Sequence, residues 1–246
     1  MQPFVVGHAT HPDAHMALAL AAAQIDAQRA ARKPAFLPTL GIVYLTDRLT
    51  AQADALLAEL QQRWPGVHWV GNVGVGVMAS GVEYIDEPAL ALMLCDLPAG
   101  SFQVFSGRQP MPATGTGARF DPHTALVHVD PATHDLDDLL VELAGRTASG
   151  YLFGGLTGSR TRRLHIADGV FEGGLSGVAF AANAPAHGLR IVSRVTQGCQ
   201  PLGPTRRVTA ADSNVALTLD DQPALPLLLA ELGVSLQRPQ QAIAAL

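Results

Sequence analysis

The residues with the clearest potential for chemistry are glycines that follow two apolar, strand-like segments. They form two groups, Gly71, Gly74 and Gly76 in the first and Gly154, Gly155 and Gly158 in the second. Because glycine has no side chain, backbone N–H groups in such loops can approach a ligand closely. Loops that leave the carboxyl ends of strands are also where α/β sheets place ligands. The glycines predict a ligand site at these loops, although tight turns alone would also explain them.

Polar residues near the second group suggest what the ligand could be. Thr157, Ser159 and Arg160 follow Gly154 and Gly155, and Asn72 lies within the first group. An arginine guanidinium binds a carboxylate as a two-pronged fork, so these loops could hold an amino acid. The sequence GLTGSRTR lacks the Gly-Lys-Ser/Thr ending of a phosphate-binding loop, and GNVGVG does not lead into a helix as a dinucleotide site would.

Cys199 and a pair of aspartates offer alternative chemistry. Cys199 lies in the turn-like string GCQPLG, where an exposed thiolate could act as a nucleophile or contact a ligand. Its spacing identifies no His or Asp partner, and a small buried side chain on a turn is the competing interpretation. Asp47 and Asp130 end corresponding strands and could do acid–base work or bind an amine. Aspartate is also common where a strand enters a helix.

Metal and cofactor binding have little support in the sequence. His11 and His15 lie one helical turn apart, and His8 precedes them, but capping and surface roles explain these histidines. Cys95 and Cys199 are far apart and lack a neighbouring Cys or His, so neither a disulfide framework nor a zinc site is indicated. We therefore predict no metal, no cofactor and no catalytic residue set.

Composition limits the classes of partner. The net charge is −5 at pH 7, and the densest basic run contains only Arg160, Arg162 and Arg163, which excludes a broad nucleic-acid surface. His and Asp precede the apolar run that starts at Met16, where a signal peptide would carry Lys or Arg. No apolar stretch approaches the roughly 20 residues that span a bilayer. The sequence predicts a cytoplasmic protein without a membrane span.

The elements that would position these loops occur twice along the chain. A strand at 39–46, a helix capped by Thr50 and a strand at 67–73 are followed by a hairpin-like stretch, and the same order returns from Ala125 onwards. An offset of 83 residues aligns Asp47 with Asp130 and Gly71 with Gly154. We predict an α/β (α+β) fold, a layered sandwich of mixed β-sheet and helices. Two strand-helix-strand-hairpin repeats, at about 39–107 and 123–197, would be related by pseudo-symmetry.

Four strings in the second half resemble the FIST sensory domain. They are GYLFGGLTG from Gly150, GGLSGVAF from Gly173, TQGCQPLGPTRRVT from Thr196 and LDDQPAL from Leu219. The resemblance implies an amino-terminal FIST domain at 1–215 and the beginning, apparently incomplete, of a carboxy-terminal FIST domain at 216–246. It supplies no catalytic motif.

The resemblance also implies a function. FIST domains are thought to sense small ligands, and amino acids have been proposed, so we expect an intracellular sensory domain that couples ligand binding to signal transduction through a partner protein. We predict ligand contacts at Asn72, Gly154, Gly155, Thr157, Ser159, Arg160 and Cys199. The alternatives are a cysteine- or aspartate-dependent hydrolase or transferase, and a protein-interaction scaffold. The sequence favours binding over catalysis and leaves the oligomeric state open.

Overall fold

The structure is a computed structural model that describes residues 4–32, 35–117, 120–181, 191–192, 201, 203–213 and 215–235. The chain divides into two compact units, Met1–Ser193 and Arg194–Leu246. The predicted Cys199 site, with the first five residues of the string from Thr196, lies outside the described residues.

Two mixed sheets dominate the first unit. The larger has six strands in the order β1-β6-β2-β3-β10-β11, and the smaller has four in the order β7-β12-β8-β9. The strands are β1 (Phe4–Thr10), β2 (Leu40–Thr46), β3 (His68–Gly74), β4 (Gly76–Ala79), β5 (Val82–Ile85), β6 (Ala89–Cys95), β7 (Phe102–Phe105), β8 (Pro122–Val129), β9 (Tyr151–Leu156), β10 (Leu164–Ala167), β11 (Val170–Glu172) and β12 (Leu175–Ala181). Strands β2 and β3 are parallel, as are β8 and β9, while β4 and β5 form a separate hairpin.

Three helices cover the outer faces of these sheets. Helices α1 (Ala14–Ala30) and α2 (Ala53–Arg63) pack on the six-stranded sheet, and α3 (Leu136–Gly145) packs on the four-stranded sheet. A third apolar core, which includes Val70, Leu126 and Val178, lies between the two sheets. Alternate strand residues point to opposite faces, so each sheet contributes to two cores. The mixed helix and strand content agrees with the predicted fold class.

Helix α1 shows why its alanine-rich sequence suits this fold. Ala17, Ala21 and Ala22 are fully buried, and a Cβ on Gly7 of β1 would lie 2.2 Å from the carbonyl oxygen of Ala21. Small side chains on both elements therefore let the helix lie close to the sheet. The side chain of Asp13 caps the helix by accepting from Met16 N–H at 2.9 Å.

The start of α2 differs from the prediction that Thr50 caps it. Thr50 lies inside a 3-10 turn, Asp47–Gln52, and its hydroxyl donates to the carbonyl of Asp47 at 2.7 Å. The local hydrogen bond tightens the chain into the 3-10 turn before the α-helix begins at Ala53.

The second unit contains three strands and one helix among its described residues. They are β13 (Val208–Asp212), β14 (Val215–Leu219), β15 (Gln222–Pro223) and α4 (Ala224–Leu232). Asp220 and Asp221 both have positive φ, as a tight turn between β14 and β15 requires. Gly233 ends α4 in the left-handed conformation. Among the described residues of the whole chain, no helix is long and apolar enough to cross a membrane.

Candidate functional site at the carboxyl ends of the parallel strands

The two predicted glycine loops meet in the structure. Strand β3 ends at Gly74 and β9 ends at Leu156, and Gly74 forms a parallel β-bridge with Gly158. This contact brings the loop after β9 to the edge of the six-stranded sheet. We call the segment from Gly154 to Arg160, which includes the last residues of β9, the Arg160 loop.

Arg160 lies between two aspartates of the same chain. Its backbone N–H and its Nε each approach Asp47 Oδ2 at 3.2 Å, while its terminal nitrogen Nη2 pairs with Asp86. The Asp47 side chain is only 5% exposed, whereas those of Arg160 and Asp86 are 52% and 59% exposed. The hydrogen bond from Arg160 to Asp86 raises the pKa of the Arg160 guanidinium. The inner edge of the guanidinium is thus held by a buried carboxylate and its outer part by an exposed one.

The other polar residues of the Arg160 loop make local hydrogen bonds. Thr157 is buried, and both its N–H and its hydroxyl donate to the carbonyl of Val129, at 2.8 and 3.2 Å. The Ser159 hydroxyl accepts from Thr161 N–H at 3.1 Å, and the Thr161 hydroxyl donates to Thr50 at 3.2 Å. Thr157 therefore anchors the start of the loop, and Ser159 shapes its exposed turn.

The glycines differ in what they do. A Cβ on Gly71 would lie 1.7 Å from the carbonyl oxygen of Val43, and one on Gly154 would lie 2.0 Å from that of Val127. Close approach of a neighbouring parallel strand therefore requires glycine at both positions. A Cβ added to Gly155 or Gly158 would meet no described atom within 4 Å, so the backbone of these two residues is accessible from one side.

The carboxylate of Asp130, which aligns with Asp47 at the offset of 83 residues, also has partners within the chain. Its carboxylate accepts from Ala132 N–H at 2.9 Å and from Gly173 N–H at 3.2 Å, and Arg163 Nη1 lies 3.9 Å away. Both aspartates thus have an arginine and backbone donors as partners.

A buried polar layer lies between the two sheets. Tyr44, Asn72 and His165 are cross-strand neighbours on β2, β3 and β10, while His128 and Ser176 are neighbours on β8 and β12. Tyr44 Oη lies 3.1 Å from His128 Nε2, and His165 Nδ1 lies 2.7 Å from Ser176 Oγ. These two hydrogen bonds join the sheets directly. Asn72 is half-buried in the same row.

Burial shifts the pKa values within this layer. Desolvation, with a smaller contribution from His165, lowers the pKa of His128 to about 4, and desolvation raises the pKa of Tyr44 to about 12. His165 also has a lowered pKa because of burial. His165 Nε2 lies 2.9 Å from the carbonyl of Gly173, so Nε2 carries the proton and Nδ1 accepts from Ser176. His128 Nδ1 is buried without a hydrogen-bond partner in the described part of the chain.

Sequence reasoning missed this layer. The available signal was a single histidine inside each of two apolar strand segments, LVHV around His128 and LHIA around His165. Neither segment alone shows that its histidine faces the other sheet, because that depends on how the sheets pack.

The remaining predicted groups lie elsewhere. His8, His11 and His15 have separate partners: the Tyr84 hydroxyl, the backbone of Asp13 and the Glu59 carboxylate. Among the described residues, no three His, Cys, Asp or Glu side chains are grouped so as to hold a metal ion. Cys95 is buried, which raises the pKa of its thiol to about 12.

Comparison with known proteins identifies the family. The FIST N domain profile matches residues 39–222, about three quarters of the sequence. The chain belongs to the FIST N domain family. The matched region begins at the residue before β2 and extends into the second compact unit, so β1 and α1 precede it. The resemblance inferred from the four sequence strings is confirmed.

Mycobacterial relatives support the assignment. An uncharacterized protein of Mycobacterium tuberculosis is 34% identical over 229 residues, which cover 89% of this chain and 57% of the relative. An uncharacterized protein of Mycobacterium bovis is 34% identical over 235 residues, which cover 91% of this chain and 57% of the relative. The chain therefore spans just over half the length of these relatives. FIST domains are in general sensory domains that bind small ligands.

Proposed function

We propose that this FIST N domain is a cytoplasmic sensory module that binds an amino acid at the Arg160 loop. The observation that carries the proposal is the divided environment of the Arg160 guanidinium, which has buried Asp47 on one side and exposed Asp86 on the other. Exposed ion pairs contribute only about 0 to 1 kcal/mol, so a ligand carboxylate can replace Asp86 at little cost. Asp47 would keep the guanidinium in place during the exchange.

The same exchange explains a preference for a zwitterion. Once displaced, the Asp86 carboxylate can pair with the ammonium group of an amino acid whose carboxylate occupies Arg160. The open space beside Gly155 and Gly158 leaves room for the ligand, and the Ser159 hydroxyl is a further hydrogen-bonding group beside it. Asn72, Gly154 and Thr157 complete the proposed set within the first unit, with Gly154 and Thr157 acting through the shape of the loop. The predicted contact at Cys199 lies outside the described residues and stays a prediction.

The connection to a signal would run through the β4–β5 hairpin. Asp86 directly follows β5 and has a positive φ of 61°, and the hairpin exposes Met78 and Ile85. Releasing Asp86 from Arg160 would change the conformational equilibrium of the hairpin, which a signalling partner could then read.

We also propose that the fold arose by internal duplication. Strands β1-β6-β2-β3 and β7-β12-β8-β9 follow the same spatial order and the same pattern of parallel and antiparallel pairing. This comparison assigns β1 to the first repeat and β7 to the second, which differs from the predicted bounds of about 39–107 and 123–197. The equivalent contacts of Gly71 with Val43 and Gly154 with Val127 support the duplication.

We also propose a division of the chain into an amino-terminal FIST domain at 1–215 and the beginning of a carboxy-terminal one at 216–246. The β13–β14 hairpin lies across that boundary.

Isothermal titration calorimetry with the twenty amino acids tests the function. We expect at least one to bind the wild-type chain, Arg160→Ala to abolish its binding and Arg160→Lys to weaken it, because lysine cannot form the fork. Arg162→Ala is the matched control, since Arg162 is similarly exposed but pairs with Glu172. Binding that is unchanged in Arg160→Ala would remove the Arg160 loop from the site. The absence of any amino-acid binding would refute the ligand class.

A further inference from the structure

A polar pocket lies at the opposite end of the six-stranded sheet from the Arg160 loop. It has a volume of about 400 Å³ and is lined by residues that include Thr39, His68, Phe102, Gln103, Gln109 and Asp168. His68 is the first residue of β3, whereas Gly74, which contacts the Arg160 loop, is the last. At about 3.3 Å per residue, the two ends of this strand are roughly 20 Å apart. The pocket is therefore separate from the proposed amino-acid site.

A fixed histidine–aspartate pair forms one wall. His68 Nδ1 lies 2.7 Å from Asp168 Oδ2, and the other oxygen of Asp168 accepts from Trp69 N–H at 2.7 Å. The backbone N–H of Asp168 also donates to the carbonyl of Trp69 at 2.8 Å. The β10–β11 turn is thus tied to β3, and this places the carboxylate behind the imidazole ring.

The pair determines what His68 offers to the pocket. In a neutral imidazole, a carboxylate at Nδ1 favours the tautomer with the proton on that nitrogen, and Nε2 is then a hydrogen-bond acceptor. Within the described chain Nε2 has no protein partner, and the side chain is 58% exposed. The ring of Phe102 packs edge-on against that of His68, with centroids 6.1 Å apart, and supports its orientation.

Two glutamines supply further hydrogen-bonding groups. Neither the Gln103 nor the Gln109 side-chain amide bonds to another group among the described residues, and both residues line the pocket. Each amide presents a donor and an acceptor side by side, which matches a pair of adjacent hydroxyl groups. The Thr39 hydroxyl, by contrast, is used within the fold, where it donates to Leu97 O at 2.9 Å.

The charge of the lining restricts the ligand class. No lysine or arginine is among the described residues that line the pocket, and Asp168 is its one acidic residue. A carboxylate or phosphate would meet the Asp168 charge without a permanent cation to balance it. A volume of about 400 Å³ lies within the range of small-molecule sites.

We propose that this pocket is a second binding site, for a small neutral molecule with several hydroxyl groups, such as a monosaccharide or polyol. One hydroxyl donates to His68 Nε2, neighbouring hydroxyls bind the amides of Gln103 and Gln109, and Phe102 contacts the apolar face of the ligand. Asp168 is a positioning residue that acts through His68.

Nuclear magnetic resonance of the whole chain, with ¹⁵N-labelled histidine, tests the proposal. The probes are a panel of neutral monosaccharides and linear polyols, titrated until the signal saturates and compared with glucose 6-phosphate and glutamate at the same concentrations. We expect at least one neutral probe to shift the His68 Nε2 resonance in a saturable manner and the anionic probes to leave it unchanged. A lack of saturable shifts with every neutral probe, or an equal response to the anions, would overturn the proposal.

Isosteric variants locate the effect. Gln103→Met keeps the side-chain length but removes the amide, and should weaken binding roughly two- to tenfold, as expected for one lost hydrogen bond. His134→Gln, at a highly exposed histidine, should have no effect. Asp168→Asn should weaken binding and also change the His68 tautomer ratio, which a merely structural change would not do. Unchanged affinity in folded Gln103→Met and Asp168→Asn would refute the assigned contacts. The resonance of His68 does not depend on Arg160, so the proposal for either site can be refuted without refuting the proposal for the other.

Discussion

The buried His128 side chain should make the folded state sensitive to acid in a defined pH range. His128 is 2% exposed, hydrogen bonds to Tyr44 and lies near His165, the other titratable group facing it. Burial lowers its pKa to about 4 in the folded chain, against about 6.5 when unfolded. Between these values the unfolded chain binds a proton that the folded chain does not. The contribution of His128 to the free energy of unfolding therefore decreases steadily as the pH falls from 6.5 to 4.

The size of the effect follows from the same shift. Each pH unit between the two pKa values corresponds to about 1.4 kcal/mol, so protonation linked to His128 should remove roughly 3 kcal/mol of stability. Small domains have only about 5 to 15 kcal/mol in total, so the loss is large enough to measure. His165 adds a change of the same sign because its pKa is also lowered.

Urea unfolding at a series of pH values from about 4 to 8 measures this dependence, with His128→Gln as the variant. Gln cannot titrate, and its amide can still hydrogen bond with Tyr44, so the variant should lose roughly 3 kcal/mol less than the wild type over the range. His134→Gln, at an exposed position, should follow the wild-type curve. Parallel stability curves for wild type and His128→Gln would show that His128 does not titrate as its burial requires, and would refute the reasoning.

Two further predictions concern individual side chains. Gly154→Ala should destabilise the chain by on the order of 3 kcal/mol because its Cβ would meet the Val127 carbonyl and φ is 136°, whereas Gly155→Ala should stay within about 1 kcal/mol in the same unfolding assay. Equal losses would show that strand contact does not explain Gly154. In a Cys199→Ser background, Cys95 should react with a thiol reagent at about pH 8 only after denaturation, since burial raises its pKa to about 12. Rapid native labelling would contradict its burial.

Local sequence signals predicted the secondary structure, but they did not predict the long-range contacts. Pro65 and Gly66 follow α2 closely, and apolar β-branched residues identified β2 and β3, because both effects act within a few residues. The prediction that Thr50 caps α2 was wrong, since its hydroxyl bonds within the preceding 3-10 turn. The sequence could not show that Arg160 pairs with Asp86, or that β10 extends the first sheet beside β3. Those contacts join residues that are far apart along the chain.

The same limit applies to the candidate site. Sequence reasoning chose glycines for ligand approach, yet Gly71 and Gly154 are needed where the carbonyl of a neighbouring strand lies against them. Both roles, close approach of a ligand and close approach of a neighbouring strand, require a residue without a side chain, so the sequence alone does not distinguish them. The structure distinguishes the two roles. Gly155 and Gly158 also belong to the Arg160 loop, but a Cβ added to either would meet no described atom within 4 Å.

The polar layer and the Arg160 loop suggest how stability and response are divided in this domain. The Tyr44–His128 and His165–Ser176 hydrogen bonds are buried and directional, so they favour one alignment of the two sheets over sliding alternatives. The Arg160–Asp86 pair is exposed and weak, and can be exchanged without exposing a buried polar group. A sensor needs a contact that a ligand can replace and a framework that does not change when the ligand binds. Variants of His128 should therefore alter stability, and variants of Asp86 should alter ligand affinity with little change in stability.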